Sequence, residues 1–324
     1  MRDVHEKPLI IIGGPTACGK TAMSILLAKK IGGEIISADS MQVYRYMDIG
    51  TAKVTKEEAD GVPHYLIDEF DPDEEYNVMI FQQKARAYME EIWAKGKIPI
   101  VVGGTGFYIN ALLYDNAFTE TDGDDSFRQA CYKQAETDGP GVLFQKLLEI
   151  DPEYAATTHA NNVKRVTRAL EYHHMTGQKF SDHNAEQKQK ESPYAAAVII
   201  LTMERQKLYE RIEQRVDLMM EAGLLEEVKG LLDRGYDGSL VSMQGLGYKE
   251  FLPYFAGEIS LKDAVTELKT GTRRFAKRQL TWFRRQIDGL WIDLSLTDKE
   301  TALVDMLDYV KQCGISLPEE SGEA

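Results

Sequence analysis

Cysteine is scarce in this chain of 324 residues, which holds three. Cys18, Cys131 and Cys313 lie far apart and form no C-x-x-C pair, which excludes a zinc finger and a disulfide framework. The six histidines fall in no metal-ligand spacing; His173 and His174 are adjacent and so face different sides of a helix. Long apolar runs and a secretory leader core are absent, so a soluble cytoplasmic protein with no membrane contact is expected. Positive charge is outnumbered: 38 Lys and Arg face 52 Asp and Glu, a net of −14. That excludes a generically basic nucleic-acid binder and leaves room only for a local basic patch. No internal repeat or low-complexity tract interrupts the chain. The length allows about two domains, and a hydrophobic fraction of 43% supports a sizeable core.

Against these absences stands one dense motif. The apolar run 9–12 ends in glycines, and Gly14-Pro15-Thr16-Ala17-Cys18-Gly19-Lys20-Thr21 fits the phosphate-loop pattern G-x-x-x-x-G-K-[ST]. A strand-like run precedes it and a helical pattern, 22–30, follows. Glycines let backbone N–H groups curl around an anion, and the helix start adds partial positive charge. Lys20 supplies a mobile cation and the Thr21 hydroxyl suits Mg²⁺. A di- or triphosphate is the expected ligand.

Strand and helix then alternate. A strand at 33–38 runs into Asp39, a carboxylate at the rim where open parallel sheets bind ligands. A weaker strand is expected at 64–70, a helix at 76–95 and a strand at 98–102. Gly103-Gly104-Thr105-Gly106 opens a further helix, with Thr105 facing the ligand rim. From 115 to 192 no strand signal survives. Helical patterns at 127–136, 141–150 and 162–174 sit between polar stretches at 119–126 and 181–192. The reading is a core domain of 1–114 with 193–314, a helical insertion at 115–192 and an acidic tail at 315–324. A strand returns at 194–203, followed by helices at 204–221, 224–234 and 261–287, a strand at 290–294 and a helix at 298–311.

The segment 262–285 is the local basic patch. Lys262, Lys269, Arg273, Arg274, Lys277, Arg278, Arg284 and Arg285 face only Asp263 and Glu267, eight charges against two, or +6. Phe275, Trp282 and Phe283 interleave with them. Such a stripe suits phosphate backbones and base stacking, or equally a solvated helix whose aromatics pack on the sheet. Lys164, Arg165 and Arg168 form a smaller cluster. A phosphate loop also fits a kinase or ATPase, which needs a second carboxylate for Mg²⁺; Asp39 and Asp68 are the candidates.

Six motifs occur in order: the phosphate loop, Asp39-Ser40-Met41-Gln42-Val43-Tyr44, Gly103 to Tyr108, Lys164 to Glu171, Gly245-Leu246-Gly247-Tyr248-Lys249, and Ala276 to Arg284. Together they resemble the tRNA dimethylallyltransferase family of bacterial type, from about residue 8 to 294. That resemblance implies an α/β fold: a P-loop NTPase-like parallel sheet flanked by helices, with an all-helical insertion domain. It implies transfer of a dimethylallyl group from dimethylallyl diphosphate to the exocyclic amine of the adenine 3′ of the anticodon, with Mg²⁺ as cofactor. On the positions that match, Gly14 to Thr21 with Arg211 and Arg215 would hold the diphosphate, and Thr21 the metal. Asp39 would be the general base, assisted by Lys20, Thr105 and Arg215. The tRNA anticodon stem-loop would meet Asp39, Ser40, Met41, Gln42, Thr105, Arg128, Lys164, Arg165, Val166, Thr167, Arg168, Gln244, Gly245, Leu246, Gly247, Tyr248, Lys249, Arg274, Lys277 and Arg278. Cys18 stands where the family usually has Ser or Ala, and Lys164 where many relatives have Gln. The zinc-finger extension of eukaryotic relatives is absent. Nothing in the sequence demands more than a monomer. A related enzyme acting on free AMP, a P-loop kinase or ATPase and a non-catalytic RNA-binding switch are the competing readings.

Overall fold

A computed structural model of the chain describes residues 7–116, 126–188 and 190–318. They form two compact units, one built from residues up to Leu113 and from Ser192 onward, the other from Tyr114 to Glu191.

The larger unit is built on six strands in the order β3-β2-β4-β1-β5-β6, every pairing parallel. In chain order its elements are β1 (Pro8–Gly13), α1 (Lys20–Ile31), β2 (Glu34–Ser37), α2 (Lys56–Ala59), β3 (His64–Tyr65), α3 (Val78–Ala94), β4 (Pro99–Gly103) and α4 (Gly106–Leu113). The smaller unit holds α5 (Ser126–Asp138), α6 (Pro140–Ile150), α7 (Pro152–Ala155), α8 (Val163–Thr176) and α9 (Phe180–Lys188). The larger unit resumes with β5 (Ala195–Thr202), α10 (Arg205–Glu221), α11 (Leu224–Asp233), α12 (Leu252–Phe255), α13 (Leu261–Gln286), β6 (Leu290–Asp293) and α14 (Lys299–Gln312).

The central strands are buried on both faces, which is why Leu9 to Ile12 and Ala197 to Leu201 read as continuous apolar runs. Ile10, Ile12, Ile100, Ile199 and Leu201 form one core with Met23, Leu27 and Ile31 of α1 and Met306 and Val310 of α14. In the smaller unit Leu143 and Leu147 of α6 pack on Val166, Ala169 and Leu170 of α8. Those residues recur at helical spacing, so each helix turns one apolar face inward.

Two local expectations are corrected. The strand at 64–70 stops at Tyr65, because Leu66 (φ 60°) and Asp68 (φ 57°) adopt left-handed backbone that no strand accommodates. The polar stretch at 181–192 contains a helix, α9, seated by Phe180 against Tyr154 and Tyr172 at ring separations of 4.9 and 5.4 Å. Residues 117–125 and 319–324, and with them most of the expected 119–126 stretch and acidic tail, lie outside the described residues. No described helix is long and apolar enough to cross a membrane.

Candidate active site at the glycine rim

Strands β2, β4 and β1 are neighbours, so their carboxyl ends place three loops side by side. The loop after β1 carries Gly14 to Lys20, that after β2 carries Asp39, and that after β4 carries Thr105. Sheet register aligns Gly13 with Gly103 and Ser37 with Val102.

The phosphate loop depends on backbone that other residues rarely adopt. Gly14 has φ 146° and Gly19 φ 103°, and a Cβ on Gly14 would lie 2.3 Å from the Leu201 carbonyl oxygen. Gly19 caps α1, whose first N–H groups have no partner in their own helix, the arrangement that suits an anion. Lys20 Nζ donates to the carbonyls of Gly14 (3.0 Å) and Pro15 (2.7 Å), which folds the side chain back over the loop. An ammonium has three donors, so one stays available for a ligand. Burial, the largest influence, pulls Lys20 below its ordinary value; Arg215 acts in the same sense and Asp39 opposes it. Arg215 Nη1 donates to the Thr16 hydroxyl (3.4 Å), and burial followed by the charge of Arg211 lowers its affinity for its proton. Cations that repel one another call for an anion between them. Ala17, Arg211, Gln214, Arg215 and Leu218 line an open cleft of about 420 Å³ there.

Asp39 sits across the rim. Its Oδ1 accepts from the Met41 N–H (2.9 Å), and burial raises its carboxyl above the ordinary range despite that bond and the charge of Lys20. Thr105 Oγ1 accepts from the Ser40 N–H (3.3 Å), so its own hydroxyl proton remains to give. Asp68 is no second carboxylate for this loop. It follows the edge strand β3 and pairs with Lys53 at 2.6 Å. Among the described residues no cluster of three acidic, His or Cys side chains could hold a metal. A donor open to a cation is the side chain of Thr21, exposed at the start of α1. A single hydroxyl suits Mg²⁺ that takes its other ligands from a bound diphosphate and water.

Sequence reasoning passed over one residue here. Gln279 of α13 is buried, its Oε1 accepting from the Thr16 N–H (2.9 Å) and its Nε2 donating to the Gly104 carbonyl (3.0 Å). Its place inside the sixth motif was the available signal. A buried aromatic group was also passed over. Tyr76 packs against Tyr44, Phe70 and Tyr108, and its hydroxyl has no hydrogen-bond partner among the described residues.

The expected tRNA-contacting residues divide. Arg274, Lys277, Arg278, Gln244 and Lys249 are exposed. Tyr248 is wholly buried, with its hydroxyl on Glu227, and Gly247 is buried against Gly50. Val166 and Thr167 are buried in the smaller unit, so neither they nor Tyr248 offers its side chain to RNA. Gln42 is occupied: it accepts from the Ser37 hydroxyl (3.1 Å) and donates to the carbonyls of Thr51 and Ala52 (3.2 Å each). Gly245 lies against Met41, where a Cβ would meet the thioether carbon at 2.4 Å, and Leu246 packs toward Gly271. In the smaller unit Lys164 and Arg165 are exposed at the start of α8, whereas Arg128 (2.8 Å) and Arg168 (3.2 Å) pair with buried Glu171. On α13 two of the three aromatics pack inward: Phe283 is buried against Gly13, and a Cβ on Gly106 would lie 2.0 Å from the Trp282 ring. Base stacking is therefore closed to Phe283. Arg273 pairs with Glu213, and Lys269 with Asp217 at 2.6 Å.

This rim lies within a recognised sequence family. The family model described as IPP transferase matches residues 42–286, and that described as isopentenyl transferase matches residues 7–74. The chain belongs to the IPP transferase family. A tRNA dimethylallyltransferase of Lachnoclostridium phytofermentans is 56% identical over 286 residues, spanning 88% of this chain and 91% of that one. The crystal structure of a tRNA isopentenylpyrophosphate transferase from Bacillus halodurans matches with a TM-score of 0.73 at 43% identity, covering 95% and 98% of the two chains. A eukaryotic dimethylallyltransferase captured acting on tRNA matches with a TM-score of 0.82 at 31% identity, covering 97% of this chain and 82% of that one. The IPP transferase match takes in α13, and the isopentenyl transferase match takes in the phosphate loop and Asp39.

Proposed function

We propose that the chain transfers a dimethylallyl group from dimethylallyl diphosphate to the exocyclic amine of the adenine 3′ of the anticodon in tRNA. One observation carries the reading: in a chain of this family, a cationic phosphate loop and a half-buried carboxylate, Asp39, meet on one rim. The adenine amine is a weak nucleophile, because its lone pair is delocalised into the ring. Catalysis therefore rests on orientation and on stabilising the leaving group. As the C–O bond of the prenyl diphosphate breaks, the loop N–H groups, Lys20 and Arg215 take up the charge on the departing diphosphate. As the new C–N bond forms, Asp39 accepts the amine proton, and its raised affinity for protons suits that task. Thr105 holds the amine side through its free hydroxyl proton. Mg²⁺, held by Thr21 and the diphosphate, would supply further countercharge. Arg274, Lys277 and Arg278 would grip the anticodon stem, with Lys164 and Arg165 as further contacts. We read the enzyme as a cytoplasmic monomer.

The test offers prenyl-labelled dimethylallyl diphosphate and Mg²⁺ with unmodified tRNA and with free AMP in parallel. Label in tRNA alone, mapping beside the anticodon, is the expected result. Label in AMP would move the activity to free nucleotides. No label, with phosphate released from ATP, would return the loop to the kinase reading.

A further inference from the structure

We propose that Gln279 is a positioning residue that sets the span between the diphosphate loop and the acceptor loop. The inference rests on the prenyl-transfer reading above. The two sides of the reaction come from different strands: the leaving group from the loop after β1, the nucleophile from the loops after β2 and β4. Backbone pairing joins β1 and β4 only as far as Gly13 and Gly103. Beyond that register no strand pairing links the two loops, and the Gln279 side chain bonds to both. Its Oε1 takes the Thr16 N–H at 2.9 Å and its Nε2 gives to the Gly104 carbonyl at 3.0 Å.

The chemistry of the two partners determines the residue type. An N–H can only donate and a carbonyl can only accept, so the two partners by themselves assign the amide orientation. A carboxylate has no donor for Gly104, and an ammonium has no acceptor for Thr16. A carboxamide of this length does both without gaining or losing a proton. The surroundings hold it in place: Gln279 is 7% exposed, and a Cβ on Gly104 would stand 2.1 Å from its Nε2. Glycine is thus required at 104 so that the carboxamide reaches the backbone.

Both ends of the clamp continue into the site. Thr16, held through its N–H by Gln279, accepts from Arg215 through its hydroxyl. Gly104 precedes Thr105, whose oxygen holds the Ser40 N–H beside Asp39. Both ends of the Gln279 carboxamide are taken by backbone, so it acts through Thr16 and Gly104. Misplacing reacting groups by about 1 Å costs on the order of 100-fold in rate, so the clamp controls turnover more than affinity.

The test uses the full chain, tRNA and dimethylallyl diphosphate, with Gln279→Met and Gln279→Glu. Met keeps the volume and removes both hydrogen bonds; Glu keeps the acceptor for Thr16 and removes the donor for Gly104. Single-turnover rates at saturating substrates are expected to fall about 10- to 100-fold in both variants. The KM for tRNA stays within about twofold of wild type, and that for dimethylallyl diphosphate rises more for Met, which has lost the bond to the loop. Thermal unfolding followed in parallel gives the folded fraction used to normalise every rate. A normalised rate equal to wild type in either variant overturns the proposal, as does a loss confined to the KM for tRNA. Should Gln279→Met not fold, Gln279→Glu decides alone. Transfer by the wild-type chain in the same assay keeps a failure of this inference distinct from a failure of the assigned reaction.

Discussion

Tyr248 donates its hydroxyl to Glu227 at 2.7 Å from a wholly buried ring, and the same carboxylate accepts the N–H groups of Asp48, Ile49 and Gly50 at 2.8–3.0 Å. The ring also fills the space a side chain on Gly50 would need, its nearest atom standing 2.6 Å from that Cβ position. Glu227 on α11 thereby ties down the turn that follows the Asp39 loop, and Tyr248 holds Glu227.

Tyr248→Phe is accordingly expected to lower stability by about 1 kcal/mol, the scale of one hydrogen bond. The salt dependence of tRNA binding should not change. Denaturant unfolding and tRNA titrations at two salt concentrations check both halves. A weakened salt dependence with stability intact would give Tyr248 a place in the RNA interface after all.

Asp39→Asn is expected to reduce kcat by about 10²- to 10⁴-fold, the range of general-base catalysis, while diphosphate binding survives. Burial raises Asp39, and the base form is the active one. The rate should therefore fall as pH drops through a value above the ordinary carboxylate range of about 4. An acid limb at or below that range in the wild-type profile of kcat/KM would remove Asp39 from the base role.

Exposed Arg274, Lys277 and Arg278 are expected to meet phosphates. Replacing them together with Gln should raise Kd for tRNA and flatten the plot of log Kd against log salt, by about 0.7–0.9 for each phosphate left without its cation. Unfolding midpoints should move little, because all three side chains lie on the outer face of α13. An unchanged slope would make that face simply solvated.

Gly106→Ala places a methyl group 2.0 Å from the Trp282 ring. Overpacking of this kind costs about 1–3 kcal/mol. Trp282→Leu in the same chain should recover part of that loss, a non-additivity that a double-mutant cycle in urea would measure. Strict additivity would mean that the two positions do not meet.

Glu34 is buried on β2, which by itself raises its carboxyl. Hydrogen bonds from Lys97 (2.7 Å), Tyr65 (2.7 Å) and Lys95 (3.0 Å) outweigh that and hold it at about 2. The folded value lies below the unfolded one. The stabilisation is then complete above pH 4.5 and is lost as pH falls toward 2. The stability difference between wild type and Glu34→Gln should be flat near neutrality and shrink across that window. A difference independent of pH down to 2 would sever this network from the acid limb of unfolding.

The sequence by itself determined the parts whose signals are local. A phosphate loop needs glycines at fixed offsets, a doubly covered strand needs a continuous apolar run, and a helix keeps its 3.6-residue stripe. The loop at Gly14 to Thr21, the central strands and the long helix α13 could therefore be read directly. The two-residue strand β3 could not, because two left-handed residues, Leu66 and Asp68, end it without any glycine to announce them. Tertiary structure alone decided which charged and aromatic side chains are free. Arg128 and Arg168 resemble Lys164 and Arg165 in sequence, yet the first two are bound to Glu171. Trp282 and Phe283 lie among cations, yet they pack on Gly106 and Gly13. Gln279 reaches partners 175 and 263 residues away. Burial and pairing belong to surfaces that meet only after folding, and no local pattern of residue types records which surfaces those are.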